Sequence, residues 1–260
     1  MIAISGKTEY PVNSLILKNF QRLAEYGKIP RGTNKGHKDG WGIVAYEKGK
    51  PNLFVKSDKN AYIDSLFSET MKELKRKATD IVICHLRKAS IGTKNIINAH
   101  PFVHYAYAFC QNGTIFDSEK IPLKPEFKKL VKGETDSEKF FAYILQFLNN
   151  DNESGARIIR LAIKNSVTSI RKNFDFTAVN IIFSNGKYVW GLREVNEKNR
   201  IVIEKKLMDY FSLFSGSGYD CDIISSEKIL LKGLKWRSVN NHELLQINLK
   251  NHEIKSFFLP

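Results

Sequence analysis

Four short segments place polar side chains at the ends of apolar runs, where a buried strand would carry them into a cleft. His85-Leu86-Arg87 closes the β-branched run that starts at Asp80. Strand alternation puts His85 and Arg87 on one face and Cys84 and Leu86 on the other. An Arg at the end of a buried strand needs an anion, and its planar fork suits a carboxylate bidentately. An internal ion pair with a protein carboxylate would satisfy it as well. Gln111-Asn112-Gly113 ends another strand-like run. An Asn amide beside a glycine N–H can form an oxyanion hole, two donors aimed at one developing negative oxygen. The same pair is also a strong hairpin-turn signal. Gly133-Glu134-Thr135-Asp136-Ser137-Glu138 precedes a helical pattern. Ser, Thr or Asp followed by Glu reads as a capping box, and the functional alternative gives Asp136 an amine to bind. In His37-Lys38-Asp39-Gly40-Trp41-Gly42, two glycines flank Trp41, which permits close backbone approach or marks a Gly-rich strand entry. His37, His85, His100 and His104 lack tight metal-ligand spacing, so neither a metal nor another cofactor is expected.

These segments must be positioned by regular elements. Met1 to Ser5, Trp41 to Tyr46, Asn52 to Lys56, Asp80 to Arg87 and Tyr105 to Gln111 read as strands. Val12 to Tyr26, Asp64 to Lys77, Ser137 to Leu148 and Gly155 to Arg171 read as helices, and Tyr26 to Gly40 as a loop. The remainder is strand-rich: Thr177 to Phe183, Lys187 to Arg193, Tyr210 to Ser215, Asp222 to Ser225, Leu244 to Leu249 and Ile254 to Leu259. Strands, then helices, then strands again suggest a layered α+β architecture rather than alternating βαβ units. No Pro/Gly/Ser-rich linker and no repeat divides residues 1–260, which are expected to form one domain.

Composition narrows the class. With 260 residues, 42% of them hydrophobic, the chain can bury a core and is too apolar for disorder. Three cysteines cannot staple a protein of this size, so a reducing cytoplasmic compartment is the default. No apolar run reaches the roughly 20 residues of a membrane helix, and the start, MIAISGKTEYP, lacks the plan of a secretory signal. Lys and Arg number 41 against 27 Asp and Glu, a net +14 that would attract anionic partners. The lysines are scattered and no nucleic-acid signature accompanies them, so a soluble Lys-rich surface is the plainer reading and a basic nucleic-acid-binding module the alternative.

The order and spacing of HKDGWGIVAY, HLRKAS, AHPF, QNGTI, GETDSE and the late SSE and Trp236 region resemble the class-II glutamine amidotransferases, an N-terminal-nucleophile hydrolase family, in its stand-alone branch with an HRDGWG segment. The resemblance implies a four-layer αββα sandwich of two antiparallel sheets. It implies a glutamine or γ-glutamyl amide as ligand, and an ammonia-accepting partner protein where ammonia is transferred. It also implies that Arg87 binds the α-carboxylate and Asp136 the α-ammonium. Asn112 and Gly113 would form the oxyanion hole, and Gly40, Trp41 and Gly42 the pocket floor. A cysteine at the mature N-terminus attacks the amide in this family, with its own α-amine as base.

This chain departs from the family there: it begins Met1-Ile2, so Ile2 occupies the nucleophile's position. Ile cannot attack a carbonyl, and a bulky second residue blocks removal of Met1. Three explanations stand open. The protein binds glutamine without hydrolysing it; the position-2 Cys of an active amidohydrolase is altered in this sequence; or another nucleophile substitutes. Of the thiols, only Cys110 shares a strand face with Asn112, and a buried Cys is usually inert.

Overall fold

The computed structural model describes residues 1–6, 10–29, 36–77, 79–149 and 155–259. The elements run β1 (Ile2–Ser5), α1 (Tyr10–Gln21), α2 (Leu23–Tyr26), β2 (Trp41–Glu47), β3 (Lys50–Ser57), α3 (Ser65–Leu74), β4 (Ile81–Leu86), β5 (Phe102–His104) and β6 (Tyr107–Asn112). The chain continues through α4 (Pro125–Lys128), α5 (Asp136–Phe147), α6 (Ala156–Asn173), β7 (Asn180–Ser184), β8 (Tyr188–Arg193) and α7 (Arg200–Glu204). It closes with β9 (Phe214–Gly218), β10 (Cys221–Ser225), β11 (Lys235–Ser238), β12 (Glu243–Asn248) and β13 (Glu253–Phe258).

Two antiparallel sheets result. One has the order β11-β9-β10-β1-β4-β2-β3 and the other β13-β12-β8-β7-β6-β5. Each strand of the central pairs is buried on both faces, and its alternate residues feed two different cores. On β4, Val82, Cys84 and Leu86 join Ile16, Phe20 and Phe67 under the α1–α3 layer. Ile81 and Ile83 point the other way and meet Ala108, Cys110 and Ile182 of the second sheet. The outer face of that second sheet carries Phe109, Ile181 and Phe183, covered by α5 and α6. Helix α6 shows why it packs there: Ile159, Ala162, Ile163, Ser166, Val167 and Ile170 are buried at helical spacing. The layers are helix, sheet, sheet, helix, the four-layer sandwich that the resemblance implies.

The differences from the sequence reading lie in short elements. Strand β9 covers Phe214–Gly218 rather than Tyr210 to Ser215. Phe211 is buried, but against Val202 and Leu207 in a small cluster of its own, so apolarity there signals packing and not a ladder. Elements β5, β11, α4 and α7 are three to five residues long and carry no periodic pattern to read. Part of the loop read from Tyr26 to Gly40 lies outside the described residues. Asn112-Gly113 does not fold the chain into a hairpin. The chain runs on beside 175–177, with Ile115 bridged to Phe176 and Thr177 N–H donating to the Thr114 carbonyl at 2.9 Å.

Candidate active site

A cavity of 290 Å³ opens where β4 and β6 end and β1 begins. It collects His85 and Arg87 from β4, Asn112 and Gly113 from the end of β6, Asp136 from the first turn of α5, and Met1. Residues 49 positions apart in the chain, Arg87 and Asp136, so meet in one space.

Arg87 is 3% exposed. Its guanidinium donates to the backbone carbonyls of Thr93 at 3.0 Å, Ile91 at 3.1 Å and Gly92 at 3.3 Å. These bonds fold the 88–93 loop around the side chain and use part of its five-donor fork. Carbonyls do not neutralise a charge, so the cation keeps its attraction for an anion in the cavity. Burial lowers its pKa, while Asp39 and Glu134 act in the opposite sense.

Asp136 is not the cap of its own helix. Thr135 caps α5, its hydroxyl accepting from the Glu138 N–H at 3.2 Å. Glu138 reaches the Gly133 N–H at 2.6 Å. The capping signal is therefore satisfied by Thr135, and Asp136 is left to accept from the Ile115 N–H at 2.8 Å. Burial pushes its carboxyl up to about 6, with the Ile115 N–H opposing. A carboxylate this desolvated gains from an ammonium partner.

Asn112 lies with Oδ1 at 3.3 Å from Nε2 of His85. Burial, and next the neighbouring His100, push His85 well below the usual His range, so it stays neutral. With Nε2–H donating to Oδ1, the amide nitrogen of Asn112 remains as the donor. Gly113 follows at φ +123°, and a Cβ there would lie 1.9 Å from the Ala178 carbonyl oxygen. Only glycine permits that approach.

Strand alternation decides what the first two residues do. Ile2 pairs with Cys84 in the sheet and packs with Ile16 and Phe20 under the helical layer. Its side chain points away from the cavity. Met1, one step earlier, faces the inter-sheet side and lines the cavity. Residue 1, rather than the Ile2 expected from the sequence, is the one that lines the cavity, with its side chain packed in the inter-sheet core. The Met1 α-amine donates to Ser226 Oγ at 3.0 Å, and burial lowers its pKa.

Gly40, Trp41 and Gly42 were expected to make the floor of the pocket and do not line it. Trp41 turns its ring outward onto Phe67, at a centroid distance of 4.9 Å, and its indole N–H donates to Asp64 at 3.0 Å. Gly42 lets the chain pass beneath His100, whose carbonyl oxygen would be 2.4 Å from an added Cβ. The segment works from behind the site. The Asp39 N–H donates to the Arg87 carbonyl at 2.9 Å, the Arg87 N–H to the Gly40 carbonyl at 2.7 Å, and the Asp39 carboxylate accepts from the Ala89 N–H at 2.9 Å. These bonds hold the stretch that follows Arg87.

The three thiols are buried and unpaired in disulfides. Cys84 sits in the outer core and Cys110 between the sheets. Burial pushes Cys110 and Cys221 up to about 12 and raises Cys84 too. No cysteine is among the described residues that line the cavity. His37, His85 and His100 line this cavity, the rings of the last two lying tilted at 4.3 Å, while His104 lines a different cavity. Glu227, the last residue of the late SSE segment, joins the cavity wall with Thr177 and Tyr210, which sequence reading missed. Thr177 and Tyr210 come from separate segments and have no common motif to find.

A family model described as class-II glutamine amidotransferases matches residues 20–207. The chain belongs to the class-II glutamine amidotransferases. An uncharacterized protein of Methanocaldococcus jannaschii is 27% identical over 192 residues, covering 68% of this chain and 48% of that protein. A Haemophilus influenzae protein with a provisional glutamine amidotransferase name is 29% identical over 164 residues, 61% of this chain and 53% of the relative. The matched stretch thus spans about half the length of these curated relatives. Among solved structures, a glutamine aminotransferase class-II domain protein from Silicibacter pomeroyi superposes with a TM-score of 0.64 at 15% identity, covering 100% of this chain and 99% of that one. The glutamine phosphoribosylpyrophosphate amidotransferase of B. subtilis gives a TM-score of 0.66 at 17% identity, over 100% of this chain and 49% of that one. At these identities the likeness is one of fold, and it is the two-sheet sandwich that the sequence leads one to expect. Among the described residues no helix is long and apolar enough to cross a membrane.

Proposed function

We propose that this class-II glutamine amidotransferase family member binds L-glutamine or another γ-glutamyl amide and hydrolyses it weakly or not at all. One observation carries the reading: Arg87, Asp136, Asn112 and Gly113 line a single cavity, and the residue that the start of the chain brings to it, just before β1, is a methionine. Arg87 takes the α-carboxylate and Asp136 the α-ammonium, matching the two charged ends of a free amino acid. Asn112 Nδ2 and the Gly113 N–H hold the γ-carbonyl oxygen. Amide hydrolysis needs an atom that gives an electron pair to the γ-carbon and a base that accepts its proton. A thioether has no proton to lose and is no acyl acceptor, so the ligand is held with its amide intact.

Calorimetry with L-glutamine and L-glutamate tests the binding. Loss of one charge-assisted bidentate contact costs about 1.5–3 kcal/mol, so Arg87→Ala weakens binding by roughly 10- to 100-fold, and Arg87→Lys recovers part of it. Native protein that binds no free amino acid and no γ-glutamyl compound would sink the proposal. A second reading, in which the missing thiol is a change in an otherwise active amidohydrolase, is tested with two variants. Ile2→Cys, with mass spectrometry reporting Met1 removal, frees a cysteine at residue 2. Met1→Cys, released from a cleavable tag, puts the thiol on the face that Met1 now occupies. Glutaminase activity in either favours that reading, and any ammonia acceptor would then be a partner protein.

A further inference from the structure

A second cavity, of 430 Å³, shares no residue with the one described above. It lies between β3 and β5, the edge strands of the two sheets, and helix α5. Its floor is apolar: Phe102, Phe141 and Leu145 are buried there, Leu130 is half-buried, and Phe54 stands at the rim 48% exposed. Its other wall is cationic. Lys56, Lys129 and Lys132 surround it, and among the described residues none of the three is in an ion pair, the paired lysines being elsewhere. The carboxylate that lines it, Glu138, accepts from the Gly133 N–H at 2.6 Å.

Lys56 is the informative member. Its ammonium lies 5.1 Å from the centre of the Phe102 ring and donates to the Ile97 carbonyl at 3.3 Å. Burial lowers this amine to about 8. Glu138 on the same cavity wall acts in the opposite sense to that burial. A cation pressed against apolar surface still gains from an incoming anion, because the anion replaces the water that burial removed. Apolar floor, cationic rim and a volume within the range of small-molecule sites occur together.

We propose that this cleft binds a single-headed anionic amphiphile, an aliphatic or aromatic carboxylate. The apolar body lies along Phe54, Phe102 and Phe141, and the head meets Lys56, Lys129 and Lys132. The occupant follows from charge complementarity: an uncharged chain would leave the lysines without a partner, and a simple anion would leave the aromatic floor in water.

The test uses the full chain, with decanoate as ligand and decyl maltoside as the uncharged control. Binding is followed by displacement of anilinonaphthalene sulfonate and by calorimetry. Decanoate should bind at least about tenfold tighter than decyl maltoside. Lys129→Glu with Lys132→Glu, both at exposed positions, should weaken decanoate by about tenfold and leave L-glutamine binding unchanged. Lys56→Met should weaken it as well. Equal binding of the two ligands, absence of decanoate binding to protein with a native circular dichroism spectrum, or insensitivity to the lysine changes would overturn the proposal. So would concentration-dependent self-association that Phe54→Asp abolishes, because a second copy would then be the occupant. None of these outcomes depends on the glutamine cavity, so the two readings fail separately.

Discussion

Gly113 carries the tightest backbone approach in the site. An alanine there would have to adopt φ +123° and push its methyl against the Ala178 carbonyl, 1.9 Å away. Strain of this kind costs about 1–3 kcal/mol before any clash is added. Gly113→Ala is therefore expected to lower thermal stability by several degrees and to weaken L-glutamine binding, measured by denaturation and calorimetry on the same sample. The need for glycine at 113 was legible only in outline, since Asn-Gly predicts a turn. The neighbour that forbids a side chain, Ala178, lies 65 positions later in the chain, and no local pattern connects the two. The thiols show the same limit. Their number argues against a disulfide scaffold, but their burial, and hence their high pKa, is a property of the packed cores.

At the N-terminus of α5, two demands compete. The helix dipole and the Ile115 N–H favour an ionised Asp136, and burial favours the neutral acid. Burial wins and sets the carboxyl at about 6 against 3.8 for the ordinary group. The sign follows. A raised folded-state pKa contributes stability below about pH 4, and that contribution is lost as pH rises through about 6. Asp136→Asn should flatten the stability profile across that interval in chemical denaturation. An ammonium binds the ionised form, so affinity for L-glutamine should rise about tenfold per pH unit below 6 and level off above it. In Asp136→Asn it should be weak and independent of pH, and a wild-type profile unchanged between pH 5 and 7 would exclude Asp136 as the ammonium partner. The sequence reading held both roles for this segment, cap and ligand. The structure divides them between neighbours, Thr135 and Asp136, because the first turn of a helix points successive side chains in different directions.

Over the whole molecule, the net charge of +14 is the feature open to the broadest reading. The expected result is weak, sequence-independent binding of single- or double-stranded nucleic acid that disappears by about 0.15 M salt, as counterion release requires, and that free L-glutamine does not compete away. Tight binding that survives that salt concentration, in a filter or anisotropy assay, would return nucleic acid to the first rank of partners. The architecture was largely readable, because strand and helix periodicities are local and their order constrains how layers can stack. So were the residue types able to bind an amino acid's charged ends. What only the tertiary structure decided was which way the first residues face and where the Trp41 segment stands. A strand shifted by one residue presents the opposite face. The pairing of Ile2 with Cys84 therefore turns Ile2 into the outer core and Met1 into the cavity, and that register comes from the packing of two sheets, beyond anything the order of residues at the chain's start could specify.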